Sequence, residues 1–194
     1  HYPLEYFTVV LNQYDGDLDR TKKLVGELPH FGINLKPIQF RHSRAAYSCD
    51  KESMSIYKGI GSVKFLTEGV SEAIYDLRDN QYNNFFELLD CIRLNKIANN
   101  RQIEILIKLN FFKEFGNINT LLFYLKLHDE FSDTKVTMKE KLAAFGIPIE
   151  LAATCFEKET AKQLRGFNKG KFFSLISQNF SKLEPKLSEI VNYQ

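Results

Sequence analysis

Residues 57–74 read YKGIGSVKFLTEGVSEAI, and this stretch carries the strongest indication of how the chain folds. A short apolar strand ends near Tyr57, a turn follows it, and a helix begins at Glu68 with its own carboxylates. The apolar positions of that helix recur at helical spacing, at Val70, Ala73, Ile74 and Leu77. The sequence therefore predicts a strand, a tight turn and an amphipathic helix over 68–79.

A second informative stretch, residues 99–116, reads NNRQIEILIKLNFFKEFG. Asn99 and Gln102 fit a capping box, in which each side chain accepts a hydrogen bond from the other residue's backbone N–H. The apolar set of the predicted helix is Ile103, Leu106, Ile107 and Phe111. Gly116 is expected to end this helix.

Together these stretches resemble the tandem helix-hairpin-helix region of the bacterial DNA polymerase III alpha subunit family, the C family of replicative polymerases. The opening HYPLEYF of residues 1–7 and the pair Leu11-Asn12 resemble the end of that family's fingers domain. The resemblance covers about residues 1–122, with several blocks in the family's order and spacing. The chain also begins without Met, as expected of a piece cut from a larger protein.

The resemblance implies a mainly α fold with a small β element. Its implied parts are the C-terminal helices of the fingers domain over 1–35, the small β element over 36–58, the tandem helix-hairpin-helix over 59–118, and a helical connector toward a following oligonucleotide-binding barrel over 119–194.

Residue patterns add detail to the first parts. Helical spacing predicts a helix over 3–13, and Asp17 is expected to cap a second helix that ends near Leu28. Extended segments are predicted around 35–40 and 54–57, with the polar residues 48–53 as a loop between them.

The later residues are predicted to be helical throughout. A helix is expected over 119–131, and Thr137 to Glu140 read as a capping box before the next helix. Pro148 opens a further helix, in which positions as far as Leu164 face inward. Residues 172–180 and 183–191 are expected to form the last helices.

A helix-hairpin-helix holds DNA through its phosphates and reads no base sequence. Its turn usually contains glycines, so that backbone N–H groups approach a phosphate closely, and the dipole of the following helix favours the negative charge. This chain departs from the family at both turns. The family's K-G-V-G is replaced by Lys64-Phe65-Leu66-Thr67, and its S-G-A-F by Leu109-Asn110-Phe111-Phe112. Asn110 can still adopt a positive φ.

The resemblance implies duplex DNA as a sequence-independent partner of the hairpins. The candidate residues for contact with the DNA backbone are Lys58, Lys64, Thr67, Glu68, Gly69, Asn110, Lys113 and Arg44. On the alternative interpretation the hairpins are degenerate and kept for packing, and Phe65 and Leu66 belong to the core.

Two groups of basic residues are candidates for phosphate contacts, or else form solvated faces. The first group is Lys36, Arg41, Arg44, Lys51, Lys58 and Lys64, and the second is Lys162, Arg165, Lys169, Lys171, Lys182 and Lys186. The phenylalanines among the second group lie at helical spacing, which favours a core role over base stacking.

A sliding clamp is a further candidate partner. Residues 163–167, QLRGF, resemble the short peptide from Gln to an aromatic residue by which replicative polymerases hold the clamp, although Gly166 stands where an apolar residue is expected.

Composition limits the other function classes. The net charge is +2, so the chain lacks the global basic signature of nucleic-acid binding, and DNA contacts must come from local patches. Three scattered cysteines indicate a reduced, cytoplasmic protein with free thiols. His42 and His128 are predicted to lie at the surface or its boundary, with no metal role. No apolar run is long enough to cross a membrane.

No catalytic constellation is recognised in the sequence. The family's polymerase chemistry uses two metal ions on carboxylates of the palm, so Mg²⁺ is expected in the parent, and no cofactor is expected in this segment. Taken alone, the chain is therefore predicted to be non-catalytic. The alternatives to DNA binding are a helical scaffold or protein-interaction module with degenerate hairpins, and an unrelated helical adaptor.

Overall fold

The computed structural model describes residues 2–183 of the chain. These residues divide into two compact units, the first made of 2–81 with 92–114 and the second of 82–91 with 115–183. The predicted fold class is confirmed, since helices dominate and the strands are short.

The first unit combines helices with a three-stranded sheet. Its helices are α1 (Pro3–Gln13), α2 (Leu18–Glu27), α3 (Glu68–Tyr75) and α5 (Asn100–Lys108), together with the last residues of α4 (Phe85–Leu94); its strands are β1 (Asn34–Lys36), β2 (Ser48–Asp50) and β3 (Ser55–Tyr57). A 3₁₀ turn, Leu28–Phe31, follows α2, and a second begins at Lys113.

The sheet of the first unit has β3 at its centre. β1 pairs with β3 in parallel and β2 pairs with it antiparallel, so that Leu35 and Cys49 both lie opposite Ile56. Ile56 is fully buried and packs in the core cluster with residues from α1 and the turn after α2, namely Leu4, Phe7, Leu11, Leu28 and Ile33. The sheet therefore anchors the chain just before the first hairpin.

The second unit contains another small sheet. Its helices are the start of α4, then α6 (Ile118–Phe131), α7 (Lys139–Ala144), α8 (Ile149–Ala153) and α9 (Lys169–Asn179); its strands are β4 (Val136–Met138), β5 (Phe156–Glu159) and β6 (Gln163–Phe167). The strand order is β4-β6-β5, with both pairings antiparallel. Phenylalanines fill its core, and Phe86 stacks on Phe173 with ring centroids 4.4 Å apart.

Several helix predictions are confirmed because their signals are local. Pro3 stands at the start of α1, and the Asp17 side chain accepts from the backbone N–H of Arg20 at 3.1 Å. Both bonds of the predicted box between Asn99 and Gln102 are present.

The prediction of a helical segment over 119–194 is wrong where the second sheet lies. Thr137 is in β4, opposite Leu164 of β6, and not at a helix cap. The cap position of α7 is Met138 instead, and the buried Thr137 hydroxyl has no hydrogen-bond partner among residues 2–183. The helix opened by Pro148 ends at Ala153, because the chain then enters β5.

Three smaller predictions are also corrected. The expected loop over 48–53 begins with β2, which pairs with β3. α5 ends at Lys108 rather than near Gly116, because Asn110 takes a left-handed conformation that closes the helix. His128 is buried at 4 % exposure, not at the surface. The helix predicted over 183–191 falls almost wholly outside the described residues.

Candidate nucleic-acid interface

The first hairpin is held in place by a close backbone approach. The N–H groups of Ile60 and Gly61 donate to the carbonyls of Arg44 and Ala45 at 2.9 and 2.8 Å. A Cβ atom at Gly59 would lie 2.3 Å from the Ala45 carbonyl oxygen, so that any other residue would push the two segments apart. The glycines of residues 59–61 therefore position the hairpin, although they do not form its turn.

The turn of the first hairpin lies at residues 63–66. The Leu66 N–H donates to the Val63 carbonyl at 3.0 Å, and Phe65 has φ +74°, a left-handed conformation that glycine normally provides. Leu66 is buried, whereas Phe65 is 46 % exposed. The alternative that places both residues in the core therefore holds only for Leu66.

Thr67 connects this turn to α3. Its hydroxyl accepts from the Val70 N–H at 3.3 Å, which caps the helix. Glu68 and Gly69, the first two helical residues, are both exposed. The start of α3 is thus open to solvent. The negative charge of Glu68 lies at the same helix start as the backbone N–H groups.

A second turn with a left-handed residue precedes α5. The Ile97 N–H donates to the Ile92 carbonyl at 3.0 Å around Lys96, whose φ is +52°. Asn99 then caps α5, accepting from the Gln102 N–H at 3.0 Å. The sequence reasoning missed this turn because it looked for the second hairpin after α5. The capping box was the signal that could have located this turn. It marks the start of α5, and a hairpin turn directly precedes the start of its second helix.

The two turns meet at Phe65. The side-chain amide of Gln102 donates to the Phe65 carbonyl at 2.9 Å. The Arg101 guanidinium carbon lies 4.0 Å from the centre of the Phe65 ring, and the Lys64 ammonium lies 5.1 Å from it. The start of α5 is therefore joined to the first hairpin turn, and two cations and an exposed aromatic ring lie together there. We call Lys64, Phe65 and Arg101 the hairpin cluster.

Lys58 and Lys64, two of the sequence-predicted residues, are exposed. Neither has an ion-pair partner within the part of the chain that the structure describes. The predicted residues Lys64, Thr67, Glu68 and Gly69 are brought together by the turn itself. Arg101 was not predicted, because only the tertiary structure places it against Phe65.

Asn110 and Lys113 lie at the opposite end of α5 from its capped start. Asn110 has the expected positive φ, +59°, and the Phe111 N–H donates to the Leu106 carbonyl at 3.0 Å across it. This geometry ends a helix rather than beginning one. Lys113 is exposed in the following 3₁₀ turn. Their contact with DNA stays a prediction.

Arg44 is already paired with a carboxylate. Its guanidinium lies 2.7 Å from Glu72, and the other Glu72 oxygen accepts from the Ala45 N–H at 2.9 Å. The hydrogen bond from Arg44, helped by that from Ala45, lowers the pKa of the Glu72 carboxyl. Arg44 thus holds α3 against the preceding loop, and its charge is largely offset.

Several cations of the two basic groups predicted from the sequence form ion pairs. In the first group Arg41 pairs with Glu114 at 2.9 Å and Lys51 with Glu5 at 2.8 Å. In the second group the ammonium of Lys169 lies 2.6 Å from Asp90. Phe172 and Phe173 are buried, as expected for core residues, and Lys186 lies outside the described residues. The first group thus retains fewer unpaired cations than its composition indicates.

The clamp-like peptide is β6, the middle strand of the second sheet. Leu164 is fully buried, and the strand's backbone pairs with β4 on one side and β5 on the other. Clamp binding through this peptide stays a prediction, and the burial of Leu164 with the pairing of the strand on both sides argues against an exposed docking motif.

Comparison with known proteins identifies the region that carries both turns. A family model described as a helix-hairpin-helix motif matches residues 32–120. The DNA polymerase III subunit alpha of Vibrio cholerae is 35% identical over 112 residues, which are 55% of this chain and 9% of that protein. Residues 32–120 thus match a helix-hairpin-helix motif, and the chain is similar to DNA polymerase III alpha subunits. The resemblance found in the sequence is thereby confirmed, and the alternative of an unrelated helical adaptor is excluded.

Other alpha subunits give the same result. That of Escherichia coli K12 is 33% identical over 121 residues, covering 60% of this chain and 10% of the relative. That of Campylobacter jejuni is 27% identical over 130 residues, covering 63% of this chain and 10% of the relative. The chain thus spans about a tenth of the length of the alpha subunits it matches.

Among residues 2–183, no three His, Cys, Asp or Glu side chains are grouped so that they could hold a metal ion. No helix within the same residues is long and apolar enough to cross a membrane.

Proposed function

We propose that the exposed starts of α3 and α5 hold duplex DNA by its phosphates, without reading base sequence, within a polymerase of the DNA polymerase III alpha type. The observation that carries this proposal is the bond from Gln102 to Phe65, which joins the second capped helix start to the first hairpin turn. Backbone N–H groups at a helix start and the positive end of the helix dipole form an anion site.

Unpaired cations support a phosphate ligand. Lys64 and Arg101 lie beside the turn, and Lys58 is exposed on the segment that leads into it. Each phosphate contact made by such a cation releases counterions, so binding falls as salt rises. Template-directed synthesis with Mg²⁺ and a sliding clamp belong to the proposed parent, and no residue of this chain is assigned to them.

A scaffold role is the second candidate, and the side chain of Phe65 favours it. Glycine at this position would let a phosphate approach the backbone, whereas a phenyl ring occupies space beside the turn. On that candidate the hairpins connect neighbouring parts of the polymerase, and DNA binding is weak with a shallow dependence on salt.

The experiment that separates the two candidates is fluorescence anisotropy of this chain with labelled duplex DNA across a salt series. We expect a log–log slope of about −3 or steeper, which corresponds to several phosphate contacts. Lys58→Gln and Lys64→Gln should each make the slope shallower by about 0.9.

Lys22→Gln is the matched control, because Lys22 is an exposed lysine on α2 and the change in net charge is the same. It should leave the slope unchanged. Absence of duplex binding even at low salt would overturn the proposal for this chain and favour the scaffold. Equal effects of all three substitutions would show general attraction rather than a site at the hairpins.

A further inference from the structure

Phe65 stands where the family's turn has a glycine, and it gives the hairpin cluster an exposed aromatic ring that a phosphate-binding turn lacks. Phe65 adopts φ +74°, which is unfavourable for a residue with a side chain. It nevertheless leaves 46 % of its surface exposed, so its ring recovers little by burial. An exposed ring held in an unfavourable backbone conformation is therefore poorly explained by packing.

Two cations lie close to the exposed ring of Phe65. Arg101 and Lys64 lie 4.0 and 5.1 Å from its centre, and both are exposed. Its backbone is fixed, because Gln102 holds the carbonyl and the following Leu66 is buried. The nearby carboxylate at the start of α3, Glu68, is exposed and reduces the local positive charge.

We infer that the hairpin cluster binds an unpaired nucleotide of single-stranded DNA, with the base stacked on Phe65 and the adjoining phosphates on Lys64 and Arg101. Aromatic rings accept any base by stacking, and arginine stacks on bases as well as on rings. Bases within a duplex are stacked on each other, so only an unpaired base offers its face to the ring. The inference rests on the proposed function, because it requires that the surface carrying the hairpin cluster contacts DNA.

The test compares two labelled single strands with equal numbers of phosphates, a thymidine oligomer of 15 nucleotides and an abasic oligomer of the same length. The chain should prefer the thymidine oligomer by about 5-fold or more, since one stacked base contributes at least that much. Phe65→Leu keeps a bulky apolar side chain in the turn but removes the ring, so it should abolish this preference and leave the affinity for the abasic oligomer unchanged. Tyr6→Ala removes another exposed ring, on α1, and should change neither affinity.

A second readout reports the stacking directly. The chain contains no Trp, so Phe65→Trp introduces a single tryptophan at the cluster. Its fluorescence should be quenched by the thymidine oligomer and not by the abasic one, while a Tyr6→Trp variant should respond to neither.

The outcomes separate this inference from the proposed function. The unsubstituted chain could bind the two oligomers equally well and still bind duplex DNA in a salt-dependent way. That result would overturn the stacking site and leave the proposed binding of duplex phosphates in place. Absence of binding to both oligomers and to duplex DNA would overturn both. Equal quenching of Phe65→Trp by the two oligomers would also overturn stacking, because the base would then add nothing to the effect of the phosphates.

Discussion

The side-chain amide of Gln102 donates a hydrogen bond to the backbone carbonyl of Phe65 at 2.9 Å, across 37 positions of sequence. The amide oxygen of the same side chain accepts from the Asn99 N–H at 3.0 Å. One residue thus completes the capping box of α5 and ties it to the turn before α3. This side chain holds the relative placement of the two helix starts, on which the proposed phosphate site depends.

Gln102→Glu keeps one of the two hydrogen bonds of this side chain and removes the other. A carboxylate still accepts from Asn99 but cannot donate to the Phe65 carbonyl, so the variant should lose about 1 kcal/mol of the free energy of unfolding. Urea denaturation followed by circular dichroism measures the loss. Gln81→Glu, in an exposed turn of the same unit, makes the same charge change and should stay within about 0.5 kcal/mol of the unsubstituted chain. Equal losses in both variants would show that the hydrogen bond from Gln102 to the Phe65 carbonyl contributes nothing to the free energy of unfolding.

Phe65→Gly should be more stable than Phe65→Ala by about 1 kcal/mol, because alanine retains the unfavourable positive φ and glycine does not. Both variants lose the ring and its contact with Arg101, so the comparison isolates the backbone. Leu109, with φ −84°, provides the control. There the order should reverse, with alanine more stable than glycine. The same order at both positions would mean that Phe65 is not strained.

Arg44→Gln should change the salt dependence of duplex binding less than Lys64→Gln does. Glu72 already offsets the Arg44 charge, whereas Lys64 has no ion pair among residues 2–183. Anisotropy across a salt series measures both slopes. Glu72→Gln should free the arginine and strengthen DNA binding if Arg44 faces the DNA. A slope change for Arg44→Gln as large as for Lys64→Gln would contradict the assignment of Arg44 to a structural pair.

Asp90 should make the second unit sensitive to acid. Burial would raise the pKa of its carboxyl, but hydrogen bonds from His128 at 2.8 Å and Lys169 at 2.6 Å outweigh burial and hold the pKa below its usual range. The unfolded chain then binds this proton more readily than the folded one. The resulting stability is present above about pH 4 and is lost as pH falls through the lowered pKa.

Asp90→Asn should reduce the free energy of unfolding at pH 7 by about 2 kcal/mol, because two charge-assisted hydrogen bonds lose their anionic acceptor. It should also flatten the decline of stability below pH 4. Urea unfolding at several pH values measures both effects. Glu150→Gln, at an exposed position of α8, is the control and should alter neither by more than about 0.5 kcal/mol. An unchanged acid profile for Asp90→Asn would place the acid sensitivity elsewhere.

Long-range pairing explains most of the wrong predictions. β2 is only three residues long and polar, and it is a strand because it meets β3. β4 and β6 pair across about 27 positions, whereas the local patterns favour helix: Thr137 and Glu140 match a capping box, and Leu164 and Phe167 are three residues apart. His128 carries no local sign of burial, since its bond to Asp90 spans 38 positions.

The sequence by itself determined the features that depend on near neighbours. Asp17 and Asn99 cap helices because their side chains reach a backbone N–H three residues ahead, and Asn110 adopts the positive φ that its short polar side chain tolerates. Only the tertiary structure decided that the turn before α5 meets the turn before α3, and that Arg101 lies over an exposed Phe65. Such contacts join distant segments whose approach is fixed by the packing of the core, and no spacing along the chain encodes that approach.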